Sequence, residues 1–323
     1  MINQIKKVGV IGAGTMGAGI AGQVANAGVE VWLLDLPSEG ENVNSLATKG
    51  LERLKDPDMP GLMSKEAENL IRIGNTRDHF HELEDCDWIA EAVVERLDIK
   101  QSLYQKLNES CKESTIITSN TSTIPISLLT KGMPKKFCER FAITHFFNPV
   151  RFMRLLELVR GEFTRDDVID TLDLFSETML GKGVVSCSDT PGFLANRVGV
   201  FAIQCALHKA FKYNLSPTEA DAFFGRPLGL PKTGVFGLYD LIGIDLMADV
   251  VKSLVSILPE NDAFHKYSSQ IEFMTKMIAN GQTGNKNEKG FYKQIGDVRQ
   301  VIDLSSGNYG AHERLKTPLL EEA

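Results

Sequence analysis

Cysteine is scarce in this 323-residue chain. There are five residues (Cys86, Cys111, Cys138, Cys187, Cys205), and no two stand closer than 18 positions. Without a CxxC pair, neither a zinc ribbon nor a disulfide framework fits, and a reducing, cytoplasmic compartment is expected. Positive charge is also short: 35 Lys and Arg stand against 42 Asp and Glu, a net charge of -7. That balance excludes a general affinity for nucleic acid or an anionic membrane, though not a local basic patch for one anionic ligand. Long apolar runs are missing as well. An uncharged stretch, Val8 to Val29, follows Lys6-Lys7 and ends near Ala25-Asn26-Ala27, imitating a secretory signal. Seven of its 22 residues are glycine, which argues against an apolar signal core. No segment approaches the ~20 apolar residues of a membrane span. What is present is 43% hydrophobic and 24% charged, the balance of an ordinary globular protein. At ~100–200 residues per domain the length suggests two domains.

The first half alternates short apolar runs with helical patterns. Strands are expected at Lys7–Ile11, Glu30–Asp35, Trp88–Val94, Thr115–Thr118, Arg140–Phe146, Leu155–Val159 and Gly183–Cys187. Helical patterns lie at Met16–Ala27, Leu46–Leu54, Lys65–Ile73, Ile99–Cys111, Ile126–Leu129 and Asp166–Leu180. Such alternation, with strands apolar on both faces, predicts a parallel, doubly wound α/β sheet of Rossmann type over residues 1–188. The texture changes at Asp189-Thr190-Pro191-Gly192. Asp189 or Thr190 can cap a helix whose first turn accepts Pro191, and Phe193–Tyr213 has helical periodicity. Ser216-Pro217-Thr218-Glu219 is a capping box, and Leu246–Leu258 and Phe264–Asn280 read as helices. Residues 189–292 are therefore expected to form an all-helical second domain. The extension 293–323 is polar, with one short strand at Gln300–Leu304 and a turn at Ser306-Gly307-Asn308. It is too short to bury a core of its own, so it should pack on the preceding domain or lead into a further one.

Gly12-Ala13-Gly14-Thr15-Met16-Gly17 lies between the first strand and the first helix. Gly12 allows the tight turn, Gly14 lets a pyrophosphate approach the backbone, and Gly17 lets helix and strand pack closely. Asp35 ends the second strand 18 residues after Gly17, where a carboxylate can take the adenine-ribose hydroxyls. No Arg or Lys adjoins it in Asp35-Leu36-Pro37, so NAD is favoured over NADP. Oxidation of an alcohol also needs a base. His145 closes the strand Arg140–Phe146, where strand C-termini line the ligand crevice. Glu157, twelve residues on, sits between Leu156 and Leu158 and needs a partner that an imidazole could supply. From the residues alone, His145 reads equally well as a satisfied core histidine. His79-Phe80-His81-Glu82 has the composition of a metal cluster but lies in a polar loop. It reads as solvated surface, and no metal is expected.

These segments, with Glu91-Ala92-Val93-Val94-Glu95, Ser119-Asn120-Thr121-Ser122, His145–Pro149, Glu157, Asp189–Phe193 with Asn196-Arg197, and Gly290-Phe291-Tyr292, occur in an order that resembles the 3-hydroxyacyl-CoA dehydrogenases. The resemblance covers about residues 5–292. It implies that His145 is the base, that Glu157 orients it, that Ser122 bonds the substrate hydroxyl near the nicotinamide, and that Asn196 helps close the site. It also implies NAD contacts from Asp35, Glu95, Lys100, Ser122, Asn148 and Lys286, an acyl-CoA substrate, and a homodimer formed through the helical domain. Taken singly, Ser122 could be a turn residue, Asn196 a helix packing residue, and Glu95 with Lys100 a solvated surface pair.

Two segments depart from the simple pattern. Asp56-Pro57-Asp58-Met59-Pro60-Gly61 is short and proline-broken where a helical arm usually helps hold CoA. Lys49, Arg53 and Lys55 are left there as candidate CoA contacts. Gly229-Leu230-Pro231-Lys232-Thr233-Gly234 is more similar to the dehydrogenase portion of larger bacterial fatty-acid oxidation proteins. The expected activity is NAD-dependent oxidation of (S)-3-hydroxyacyl-CoA in fatty-acid β-oxidation. The rivals are an NAD oxidoreductase for another 3-hydroxy acid and a catalytically silent nucleotide-binding relative.

Overall fold

Apolar residues on both faces of the short strands make one sheet with two buried sides. In the computed structural model, which describes residues 5–228, 232–312 and 315, strands β1 (Lys7–Ile11), β2 (Glu30–Asp35), β3 (Ile71–Asn75), β4 (Trp88–Glu91), β5 (Ile116–Ser119), β6 (Phe141–Phe146), β7 (Leu155–Arg160) and β8 (Gly183–Cys187) lie in the order 3-2-1-4-5-6-7-8. Alternate residues feed different cores. Val10, Leu33 and Ala90 pack with Ile20 and Val24 of α1 (Thr15–Asn26), Ala47 of α2 (Ser45–Arg53), Ala67 of α3 (Lys65–Asn69) and, further along the same face, Leu172 of α7 (Asp166–Thr178). Ile11, Leu34 and Ile89 pack on the other face with Tyr104 and Leu107 of α4 (Leu97–Ser110), Leu129 of α5 (Ile126–Leu129) and Phe137 of α6 (Lys135–Glu139). The chain divides into two units between Leu194 and Ala195.

Three local expectations are corrected. The helical pattern Lys65–Ile73 splits: Ser64 caps a short helix through the Ala67 amide, and Ile71–Asn75 becomes an edge strand beside β2. Ile71 and Ile73 are β-branched and alternate with Arg72, which suits a strand better than a helix. The sheet is also not wholly parallel, because β7 runs antiparallel to β6. Their connection, 147–154, is shorter than the dozen or more residues that a parallel crossover needs. Finally, the helix expected from Phe193 begins at Ala195, and Asp189 does not cap it; its Oδ2 accepts the Ile126 N–H at 2.9 Å.

The second unit contains α8 (Ala195–Lys212), α9 (Pro217–Phe223), α10 (Phe236–Ile242), α11 (Ile244–Ile257) and α12 (Glu272–Ala279). The capping box forms as expected: Ser216 accepts the Glu219 amide, and the Glu219 carboxylate accepts the Ser216 amide. The pattern Phe264–Asn280 breaks at polar Ser268 and Ser269 into a 3₁₀ turn, Ala263–Tyr267, followed by α12. Strands β9 (Tyr292–Ile295), β10 (Val298–Ile302) and β11 (Tyr309–Ala311) make an antiparallel sheet. Ile302 and Tyr292 are buried in the same cluster as Phe236 and Leu254, so this part of the extension shares the helical unit's core. Residues 229–231 and the segment Thr317–Ala323 lie outside the described residues.

Candidate active site

The glycine turn follows β1, and its three glycines meet different surroundings. Gly12 has φ +99°, and a Cβ there would stand 2.5 Å from the Ala92 carbonyl oxygen. A Cβ on Gly17 would lie 1.7 Å from the Gly12 carbonyl oxygen, so both positions are fixed by backbone contact. A Cβ on Gly14 would meet nothing within 4 Å. Open space therefore lies over Gly14, the residue just before α1, whose first turn has no side-chain cap. The Asp35 carboxylate secures the turn from the end of β2, accepting the Ala13 N–H at 2.5 Å and the Leu36 N–H at 2.6 Å. Each oxygen keeps lone-pair capacity for a further donor. This arrangement fits a dinucleotide: free amides and space for phosphate, with a carboxylate one strand away for ribose hydroxyls.

The candidate CoA contacts fall elsewhere. Arg53 donates to the Ala13 carbonyl at 3.3 Å, beside the glycine turn, a cation that the local sequence around Asp35 does not reveal. Lys55 pairs with Glu52 and Glu68, and Lys49 is exposed on α2. The short proline-broken segment is pinned: Arg151 donates to the carbonyls of Pro60 (2.7 Å) and Leu62 (3.1 Å), and Asn26 bonds Gly61 and Met63.

His145 and Glu157 are register partners across the antiparallel β6–β7 pair. Imidazole Nδ1 stands 2.7 Å from Glu157 Oε2, and Nε2 has no hydrogen bond to any described residue. Glu157 is wholly buried, and its Oε1 accepts the Leu194 N–H at 2.9 Å, with the Cys187 thiol at 3.8 Å. Burial and the nearby carboxylate push the Cys187 thiol up to about 11, so it stays protonated. Phe147 and Phe193 flank the imidazole, with centroids at 4.5 and 5.7 Å. Phe193 holds φ +45°, a left-handed conformation that costs about 1–3 kcal/mol in a non-glycine residue. By its pattern, Asp189–Phe193 should start a helix. The segment instead brings an aromatic ring and an amide to the dyad.

Ser122 is half-buried in the turn after β5. Its neighbours Thr121 and Thr123 both donate to Glu95 Oε1, Thr123 at 3.1 Å. The surface-pair reading of Glu95 and Lys100 does not hold. The Lys100 side chain is 1% exposed, and its ammonium lies 2.6 Å from Glu91 Oε1 and 3.2 Å from Glu95 Oε2. Glu91, at the end of β4, is a buried partner that sequence reasoning reaches only as part of a motif; an acidic residue closing an apolar strand nine positions before a lysine is the signal available. Asn148 is exposed in the turn after β6. In the second unit, Asn196 lies in the first turn of α8, and Lys286 is ion-paired with Asp245 at 2.5 Å. His79 accepts the Asn75 N–H and lies 5.8 Å from the Trp32 ring. Among the described residues no helix is long and apolar enough to cross a membrane, and no group of three or more side chains could hold a metal.

Comparison with known proteins places this geometry. Residues 7–190 match the model of the 3-hydroxyacyl-CoA dehydrogenase NAD binding domain, and residues 192–294 match that of the 3-hydroxyacyl-CoA dehydrogenase C-terminal domain. A Deinococcus radiodurans protein named as a 3-hydroxyacyl-CoA dehydrogenase is 40% identical over 298 residues, covering 92% of this chain and 85% of the relative. A Rickettsia prowazekii protein named as the trifunctional enzyme of a fatty acid oxidation complex is 42% identical over 313 residues. That alignment covers 94% of this chain but 44% of the relative, so the chain spans under half of that protein's length. The solved structure of M. tuberculosis FadB2 superposes with a TM-score of 0.76 at 30% identity, covering 91% of this chain and all of that one. On the strength of both domain models and of the D. radiodurans relative, the chain belongs to the 3-hydroxyacyl-CoA dehydrogenase family.

Proposed function

We propose that the chain oxidises (S)-3-hydroxyacyl-CoA to 3-oxoacyl-CoA with NAD. The observation that carries this reading is the buried His145–Glu157 pair, 2.7 Å apart. Gly12, Gly14, Gly17 and Asp35 would hold the dinucleotide, which when bound supplies the two-electron acceptor for C3. His145, with Nδ1 committed to Glu157, offers Nε2 to the C3 hydroxyl proton. Glu157 fixes the ring's orientation and stabilises the imidazolium that forms. Ser122 would hold the substrate oxygen. Glu95 and Asn148 would border the cofactor, and the roles of Asn196 and Lys286 rest on the resemblance alone. Homodimer formation is supported by the exposed apolar side chains Leu241 and Leu246 in the second unit. A place in a longer multidomain chain is supported by the partial coverage of the Rickettsia relative. A cytoplasmic location agrees with five free cysteines.

The pinned short segment at Pro60–Leu62 favours a second reading, a related 3-hydroxy acid without CoA. NADH formation, followed by absorbance, separates the two. Saturable turnover of 3-hydroxybutyryl-CoA and longer acyl-CoAs, with none of free 3-hydroxybutyrate, supports the first. Preference for the free acid refutes it, and no NADH from any of them points to the silent relative.

A further inference from the structure

Within the first unit, one buried cation has no counter-charge. Lys182, the residue before β8, is 4% exposed, and no acidic side chain among the described residues pairs with it. Its ammonium donates instead to two backbone carbonyls of the β6–β7 connection, those of Val150 and Met153, the latter at 2.9 Å. It also stands 5.8 Å from the ring centroid of Phe146, the last residue of β6. In the sheet β7 lies between β6 and β8, so this one side chain links the two flanking strands through the connection. Neither carbonyl accepts another hydrogen bond among the described residues. Both belong to a turn in which the Phe152 and Met153 amides donate to the Pro149 carbonyl at 3.0 and 2.9 Å.

A buried ammonium without a counter-charge is unfavourable, and burial pushes Lys182 down to about 8. An apolar side chain of the same length would fill the space without that penalty. It could not satisfy two inward-turned carbonyls. The connection they belong to begins at the candidate site: the Phe147 ring packs on the His145 imidazole at 4.5 Å between centroids, and Asn148 follows. At its other end the Gly183 amide, next to Lys182, donates to the Arg154 carbonyl at 2.8 Å, just before β7. Strand register alone pairs His145 with Glu157, but it leaves the path of residues 147–154 open. We propose that Lys182 is a positioning residue: its ammonium fixes that path, and with it the places of Phe147 and Asn148. Lys182 then acts on the reaction through the connection. This rests on the reading of His145 as the base given under Proposed function.

Lys182→Met keeps the apolar stem and removes the ammonium. Its kcat should fall about 10–100-fold, the scale of a misplacement of about 1 Å, with KM for the acyl-CoA moving far less. Released from the clamp, the Phe152 and Met153 amides should exchange hydrogen at least about tenfold faster in the ligand-free protein. The control is Gln23→Leu, which breaks a neighbouring bond, from α1 to the Leu180 carbonyl at 2.7 Å, and leaves the connection alone. It should lower the melting temperature while kcat and both exchange rates stay at the parent's values. Lys182→Gln supplies a shorter, uncharged donor, and its kcat should lie between those of Lys182→Met and the parent. Parent-like kcat in folded Lys182→Met overturns the proposal, as does unchanged exchange at Phe152 and Met153. A loss confined to KM, or one that Gln23→Leu matches, overturns it too. Should Lys182→Met not fold, Lys182→Gln decides alone, and parent-like kcat there is fatal. Turnover by the unmodified protein tests the proposed function itself, while the exchange rates and the ratio of variant to parent kcat test the clamp.

Discussion

Glu157→Gln removes one charge and turns one of two acceptor oxygens into a donor. The residue is fully buried, and the glutamine amide oxygen can still accept from His145 Nδ1 or from the Leu194 amide. What disappears is the attraction between carboxylate and imidazolium. With a hydrogen bond of 2.7 Å the charge centres lie about 4 Å apart, which at an effective dielectric near 20 is worth about 4 kcal/mol. At about 1.4 kcal/mol per tenfold this bounds the loss near 10³ in kcat. The remaining dipole recovers part, so about 10²–10³ is expected, with KM changed little. His145→Gln should lose more, up to the ~10⁴ that acid–base assistance provides. The assay is steady-state NADH formation for both single variants and the double. If Glu157 serves the reaction through His145, the double variant should be barely slower than His145→Gln. A loss equal to the full product of the single losses would show two independent residues and refute the dyad.

The two kinds of glycine should separate cleanly. Gly14→Ala places its methyl in open space and should leave the melting temperature nearly unchanged while weakening NAD binding; Gly17→Ala drives a Cβ into the Gly12 carbonyl and should abolish soluble, folded protein. Asp35→Ser should erode the preference for NAD over NADP mainly through binding, helped by Arg53 beside the same turn; equal kcat/KM for both cofactors in the unmodified protein would contradict this. Burial pushes Asp221 and Asp240 of the second unit up to about 6. Their folded forms keep a proton that the unfolded chain releases near pH 4, so their contribution to stability falls as pH rises from about 4 to about 6, by up to about 3 kcal/mol each. Denaturant unfolding of the parent against Asp221→Asn/Asp240→Asn should show that slope difference, and parallel pH profiles would exclude it.

Much of this site is legible in the order of the amino acids alone. A glycine turn between an apolar strand and a helix, with an acid at the end of the next strand, has a physical reason at each position. The fold puts Gly12 and Gly17 where that reason requires, and Asp35 bonds the same turn. Strand direction is not legible, because an apolar run looks alike in either sense. Only the short 147–154 connection hints that β7 turns back on β6. The five-residue edge strand Ile71–Asn75 merges with the helical pattern that precedes it. Phe193 is invisible for a different reason. A left-handed aromatic residue has no local signature, since its conformation is imposed by what the ring and the following amide must reach.

The reversal of β7 has a chemical consequence. Gly12 follows β1, Asp35 ends β2, Glu91 ends β4, Ser119 ends β5 and His145 lies one residue before the end of β6. All five therefore stand at the C-terminal edge of the parallel strands, where an open α/β sheet gathers its ligands. A parallel neighbour could bring only its last residues to that edge, and Glu157 is the third of six in β7. Running backwards, β7 starts at that edge, so its third residue falls opposite His145 in the ladder. Facing residues on antiparallel strands hold their Cβ atoms about 4.5–5.5 Å apart, which suits a direct imidazole–carboxylate bond. The orientation of the proposed base is thus fixed by sheet register, and a loop is needed only to turn the chain.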